Sequence, residues 1–148
     1  MPPVLIDTNI LIYTYDYQDS RRREQAMRVV ETLQVKGSGC LSVQCLAEFA
    51  SLSTRRLVPK LMPAEAMVQV EKWAQAFPVF DLTPQIVLTA ARGVRDHILS
   101  YYDAQLWATA LLNQVPVIFS EDFASNSSIE GIRLINPFAP PFKLQEWQ

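Results

Sequence analysis

Short unbroken apolar runs alternate along this chain with longer stretches in which apolar residues recur every third or fourth position. The runs read as buried strands and the longer stretches as amphipathic helices. Val4-Leu5-Ile6 stops at Asp7-Thr8-Asn9 and resumes as Ile10-Leu11-Ile12-Tyr13, which predicts a buried strand followed by a polar turn. From Ser20 a helix carries Ala26, Val30 and Leu33 on one face until Gly37 and Gly39 stop it. Cys40-Leu41 predicts a second strand, and Ser42 caps a helix running from Val43 to Arg55 or Arg56. Pro63 to Phe77 reads as a further helix, Val79 to Leu82 as a third strand, and Thr83-Pro84 restarts a helix with Val87, Ala91, Val94 and Ile98 on its apolar face. Ser100 caps the next helix, Tyr101 to Asn113, which is apolar nearly all round and so packs on more than one side. Val115 to Phe119 predicts a fourth strand, Ser120 to Gly131 a polar loop, and Ile132 to Ile135 a fifth strand. Residues 137–148, rich in proline and aromatics, read as an extended tail laid over the body.

Strands alternating with helices imply an α/β fold, and strands without inside/outside alternation imply a mostly parallel sheet covered on both faces. The expectation is one domain over residues 1–148, a length able to bury a sizeable core. Ligands of such sheets bind in the crevice beyond the carboxyl ends of the strands, so the polar residues there are the ones to examine.

Composition narrows the function classes. Thirteen Lys plus Arg against fifteen Asp plus Glu leave a net charge of −2, so any polyanion must be held by local basic patches and not by a global field. Cys40 and Cys45 are too few and too close for a secreted disulfide framework and read as reduced, buried thiols. No apolar run is long enough to cross a bilayer and no basic leader precedes Val4, which predicts a cytoplasmic protein with no membrane partner.

Four acids fall at or near strand ends and helix starts: Asp7 after the first strand, Glu48 on the helix from Val43, Asp103 in the first turn of the buried helix and Asp122 after the fourth strand. Far apart in sequence, they converge only through the fold, and carboxylates gathered in one crevice repel unless a cation offsets them. Mg²⁺ or Mn²⁺ takes such hard oxygen ligands, whereas one histidine and two cysteines cannot assemble a zinc site. Each acid also has a structural reading. Asp7 suits a turn cap, Asp103 completes the capping-box spacing Ser100-Tyr101-Tyr102-Asp103, and Glu48 belongs to a polar strip with Gln44, Ser51 and Arg55. Glu121 and Asp122 are adjacent and point apart, so at most one of them faces a metal.

Four segments carry a resemblance: Val4-Leu5-Ile6-Asp7-Thr8-Asn9-Ile10-Leu11, Leu41-Ser42-Val43-Gln44-Cys45-Leu46-Ala47-Glu48-Phe49, Leu99-Ser100-Tyr101-Tyr102-Asp103-Ala104 and Ile118-Phe119-Ser120-Glu121-Asp122-Phe123. Together and in this order they resemble the PIN-domain ribonucleases, in particular the VapC-type toxins of type II toxin–antitoxin operons. The resemblance implies a three-layer α/β/α sandwich and a Mg²⁺- or Mn²⁺-dependent endoribonuclease working by metal-assisted hydrolysis, with no covalent intermediate. It implies Asp7, Glu48, Asp103 and Asp122 as the catalytic acids, Asp7 and Asp103 as direct metal ligands, and Thr8, Asn9 and Ser120 as groups that orient them. Asp122 is preferred to Glu121 as the fourth acid, and Ser120 stands where the family often has threonine.

The partners implied are an RNA substrate, a cognate antitoxin protein and a second copy of the chain in a homodimer, for which the region from Val43 to Phe77 is a candidate surface. Arg22 and Arg55 are candidate RNA-binding cations and Tyr102 a stacking base platform, although an arginine run also reads as a solvated face and an aromatic pair as core. His97 reads as a helix-end residue. Two rivals remain: a PIN-fold RNA-binding scaffold without catalysis, and a receiver-like signalling domain, which needs an acid pair after the first strand that this chain lacks.

Overall fold

The computed structural model describes residues 2–124 and 126–148. Strands β1 (Val4–Ile6), β2 (Gly39–Ser42), β3 (Val79–Phe80), β4 (Val117–Phe119), β5 (Ser127–Ile129) and β6 (Ile132–Ile135) form a six-stranded sheet in the order β3-β2-β1-β4-β6-β5. All neighbours pair in parallel except β5 and β6, which form an antiparallel hairpin. The helices are α1 (Thr8–Tyr13), α2 (Ser20–Lys36), α3 (Val43–Arg55), α4 (Pro63–Ala76), α5 (Pro84–His97) and α6 (Tyr101–Leu112), followed by a 3₁₀ turn at Leu144–Trp147. Sheet and helices make the expected α/β/α sandwich. A receiver-type sheet orders its strands 2-1-3-4-5; here β3 is an edge strand two places from β1, which removes that rival.

The register decides what the sheet presents. Ile6 of β1 lies opposite Phe119 of β4, and Phe119 opposite Ile135 of β6. The Asp7 N–H continues the ladder to the Phe119 carbonyl at 3.0 Å, and the Ser120 N–H continues it to the Ile135 carbonyl at 2.9 Å. Asp7 and Ser120 therefore stand side by side just past the strand ends. The central strands β1 and β4 are wholly buried, as unbroken apolar runs covered on both faces require.

Helix α6 is buried along one continuous stretch from Ala104 to Ala110. Its close partner is α5, where a Cβ built on Gly93 would stand 2.8 Å from the Trp107 ring. Trp107 is wholly buried, so the two helix axes approach only because residue 93 has no side chain.

Several sequence expectations are corrected. Thr8 to Tyr13 is a helix and not a polar turn with a resumed apolar run, because Asp7 accepts the Thr8 N–H and caps it. Part of the expected loop from Ser120 to Gly131 is the strand β5, paired with β6; Ser125 of that loop lies outside the described residues. The tail is not extended throughout: it turns into the 3₁₀ segment, where Trp147 packs edge-on against Phe119 at 4.8 Å and is buried. Cys40 and Cys45 are free and buried, with both thiols pushed up to about 12 by that burial, so neither is a nucleophile at neutral pH. Among the described residues no helix is long and apolar enough to cross a membrane.

Substituting Gly93→Ala is expected to destabilise the protein by about 1–3 kcal/mol, because overpacking against Trp107 outweighs the helix propensity gained by alanine. Urea unfolding midpoints measure this, and an unchanged or raised midpoint would mean that α5 and α6 can separate freely.

Candidate active site

At the carboxyl ends of β1 and β4, one oxygen from each of Asp7, Asp103 and Asp122 lies within 4.8 Å of the others. Three separate elements deliver them. Asp7 is the N-cap of α1, Asp103 sits in the first turn of α6, and Asp122 follows β4. Burial falls from the buried Asp7 through the half-buried Asp103 to the exposed Asp122, so the cluster opens to solvent on one side.

The carboxylate of Asp7 is the most constrained. It accepts the Thr8 N–H at 2.7 Å on Oδ1 and the Ser120 hydroxyl at 2.6 Å on Oδ2, with the Asn9 amide 3.5 Å from the same oxygen. Those bonds favour the charged form, yet its pKa rises from 3.8 to about 7, first through burial and then through the neighbouring charges of Asp122 and Glu48. Desolvation and Asp103 raise Asp122 too, against a bond from Asn9. Ser120 holds the cluster together: its Oγ donates to Asp7 and accepts the Asp122 N–H at 3.0 Å.

Ser100 occupies the N-cap of α6 without a side-chain cap bond and instead donates its hydroxyl to Asp103 Oδ2 at 2.9 Å. The capping-box reading of Asp103 is thereby replaced: the serine restrains the acid, and the acid faces the cluster. Glu48 lies beside the cluster, outside the three-oxygen group but near enough to raise Asp7. Its Oε1 accepts the Gln44 amide at 2.9 Å, which also reaches the Tyr102 carbonyl at 3.1 Å. Gln105 donates to Gln44 Oε1 at 2.9 Å and completes a bridge between α3 and α6. Sequence reasoning overlooked Gln105, although a lone glutamine inside the apolar run of α6 is a visible signal of a buried polar partner.

Other sequence candidates fall elsewhere. Glu121 turns from the cluster, accepting the Tyr13 hydroxyl and the Arg22 Nε, the latter at 2.8 Å. Arg22 is thus paired with Glu121 and with Asp19. Arg55 is exposed and donates to Ser51 on its own helix. Tyr102 is 65% exposed on the rim, its ring edge-on to Tyr101. His97 meets Glu130 at 2.6 Å, far from the acids in role as well as in place.

The donor set is three hard carboxylate oxygens, with the Asn9 amide nitrogen turned toward Asp7 and Ser120 beside them. Such a set fits a divalent cation of the Mg²⁺ or Mn²⁺ class.

Two outcomes follow. Asp7 in the folded protein keeps a proton that the unfolded chain releases between pH 3.8 and about 7. Its contribution to stability is therefore full below pH ~4 and lost as pH rises through ~7, to an extent on the order of 4 kcal/mol for a buried group. In EDTA, thermal melting is expected to fall over that window, and Asp7→Asn is expected to flatten the fall; an equally steep fall in the variant would remove Asp7 as its source. Ser120→Ala is expected to cost about 1–3 kcal/mol by stripping Asp7 and the Asp122 N–H of a shared partner, read from chemical denaturation.

A family model described as PIN domain matches residues 4–124. Among solved structures, the chain is similar to a toxin–antitoxin complex from Klebsiella pneumoniae, at 18% identity and TM-score 0.66, covering 90% of this chain and 97% of that one. A DNA-bound VapBC from Salmonella typhimurium aligns at 21% identity and TM-score 0.62 with the same coverage. VapC20 of Mycobacterium tuberculosis, a Sarcin-Ricin loop cleaving toxin, aligns at 18% identity and TM-score 0.61 over 78% of this chain and 86% of that one. No match was found among curated protein sequences.

Proposed function

The chain belongs to the PIN-domain family, and from that premise we propose that it is a divalent-metal-dependent endoribonuclease, the toxin of a toxin–antitoxin pair, held in check by an antitoxin protein. The observation that carries this reading is the gathering of Asp7, Asp103 and Asp122 within 4.8 Å at the mouth of the sheet. A fold does not keep three like charges together for stability, since each lost carboxylate would relieve repulsion. The likeness to toxins solved with their antitoxins supports the biological role.

Asp7, Asp103 and Asp122 hold the cation in this reading, with Asn9 and Ser120 orienting the carboxylates. Bound there, Mg²⁺ or Mn²⁺ supplies charge neutralisation and Lewis acidity at the scissile phosphate. The remaining work belongs to the chain. Ser120 and the Thr8 N–H fix both oxygens of Asp7, so that little reorganisation accompanies the reaction. Ser100 holds Asp103 against rotation. Glu48 is anchored through Oε1 by Gln44, which leaves Oε2 to accept the proton of the attacking water. Tyr102, on the rim beside Asp103, offers a ring to a base next to the cleaved bond.

Purified protein is expected to cleave a labelled structured RNA pool with Mg²⁺ or Mn²⁺ and to stop in excess EDTA. Asp103→Asn, at a half-buried position held by Ser100, is expected to stay folded and to lose more than about 100-fold in rate. Undiminished cleavage by Asp103→Asn, or cleavage that survives EDTA, would overturn the reading. Absence of cleavage together with no metal-dependent rise in melting temperature would favour a scaffold without catalysis.

A further inference from the structure

Outside the carboxylate cluster, a groove of about 560 Å³ runs between α2 and the C-terminal tail. Arg21, Arg22 and Arg28 line one wall and Lys143 the other, with Glu24 the acid among the lining residues. Among the described residues no carboxylate stands within ion-pair distance of Arg21, Arg28 or Lys143. On a chain whose net charge is −2, so many cations left without ion pairs around one groove mark it as a place for an anion. Arg21 and Arg28 are seven residues apart, on one face of α2 and about 10 Å apart along its axis. That spacing matches a ligand with repeated charges better than a single phosphate.

The walls are held in place. The Gln25 amide donates to the Pro137 carbonyl at 2.9 Å and pins the start of the tail to α2. Phe138 and Phe142, which line the groove, are each braced from behind, Phe138 edge-on to Tyr13 at 5.0 Å and Phe142 to Phe119 at 5.4 Å. Half-buried aromatic rings beside a row of cations are the two components of a surface that follows a single strand without reading its sequence. The groove lining is one residue removed from the cluster through a single bond. Arg22 belongs to that lining and bonds Glu121, whose chain neighbour is Asp122.

We propose that the groove between α2 and the tail is a binding track for single-stranded RNA, in which Arg21, Arg28 and Lys143 take backbone phosphates and Phe138 and Phe142 receive bases. This rests on the nuclease reading for its substrate and adds a second place where the strand is held. It also gives a task to the tail, which otherwise would only cover Phe119. An acidic protein segment matches the charges but has no use for the aromatic lining.

The test is fluorescence anisotropy with labelled oligouridylate of about 4 and about 16 nucleotides, in EDTA so that nothing is cleaved and the bare acids repel RNA. The longer strand is expected to bind the unaltered protein more tightly than the shorter. The double variant Arg28→Ala, Lys143→Ala is expected to lose that advantage, with the slope of log K against log salt reduced by about 1.4, or about 0.7 for each of the phosphate contacts removed. Arg28→Lys is expected to keep the slope. An unchanged slope and affinity in the double variant would overturn the proposal, and would do so in favour of a protein partner if polyglutamate binding were lost instead. Because the metal-dependent cleavage assay is separate, a protein that cleaves but fails this test loses only the groove; one that neither cleaves nor binds RNA loses the nuclease reading as well.

Discussion

Repulsion among carboxylates at the end of two parallel strands is the constraint around which this structure is arranged. Asp7 is buried, hydrogen-bonded and still raised to about 7, because desolvation and the charges of Asp122 and Glu48 outweigh every bond it makes. The sheet makes this position unavoidable. With Ile6 paired to Phe119, the next residues of β1 and β4 are Asp7 and Ser120, and the serine must serve both Asp7 and the Asp122 N–H. A single hydroxyl at the strand end thus determines whether two acids face the same point.

The rest of the fold keeps the acids from moving apart. Helix α6 brings Asp103 in just ahead of a segment buried from Ala104 to Ala110, locked to α5 by the Gly93–Trp107 approach. Gln105 and Gln44 tie that helix to α3 and fix Glu48 at its flank. On the other side Glu121 is drawn off to Tyr13 and Arg22, which leaves Asp122 directed at the cluster. Preorganisation of this kind, made of neutral donors and not of counter-charges, leaves the negative potential intact for a cation.

Much of this was legible in the sequence because it depends on local pattern. The apolar runs at β1, β4 and β6, the capping residues Ser42 and Thr83, and the all-round apolar α6 each read correctly, since burial on two faces and side-chain caps leave unambiguous signatures. The acids were legible as strand-end and helix-start residues. What escaped depended on partners distant in sequence. Helix α1 is too short to display a period, and Asp7 serves as its cap while also belonging to the cluster. Strand β5 has the polar sequence Ser127-Ser128-Ile129 and exists by pairing with β6. The tail's 3₁₀ turn is specified by the fit of Trp147 on Phe119, and the bond from Ser100 to Asp103 by a cap that the serine declines to make.

The central claim is that one cation relieves the repulsion among Asp7, Asp103 and Asp122. Anomalous diffraction at the manganese edge from crystals equilibrated with Mn²⁺ tests it most directly. The account predicts an anomalous peak in contact with oxygens of all three carboxylates, absent from crystals of Asp103→Asn. A peak bound elsewhere with the cluster left empty, or an unchanged peak in the variant, would contradict it.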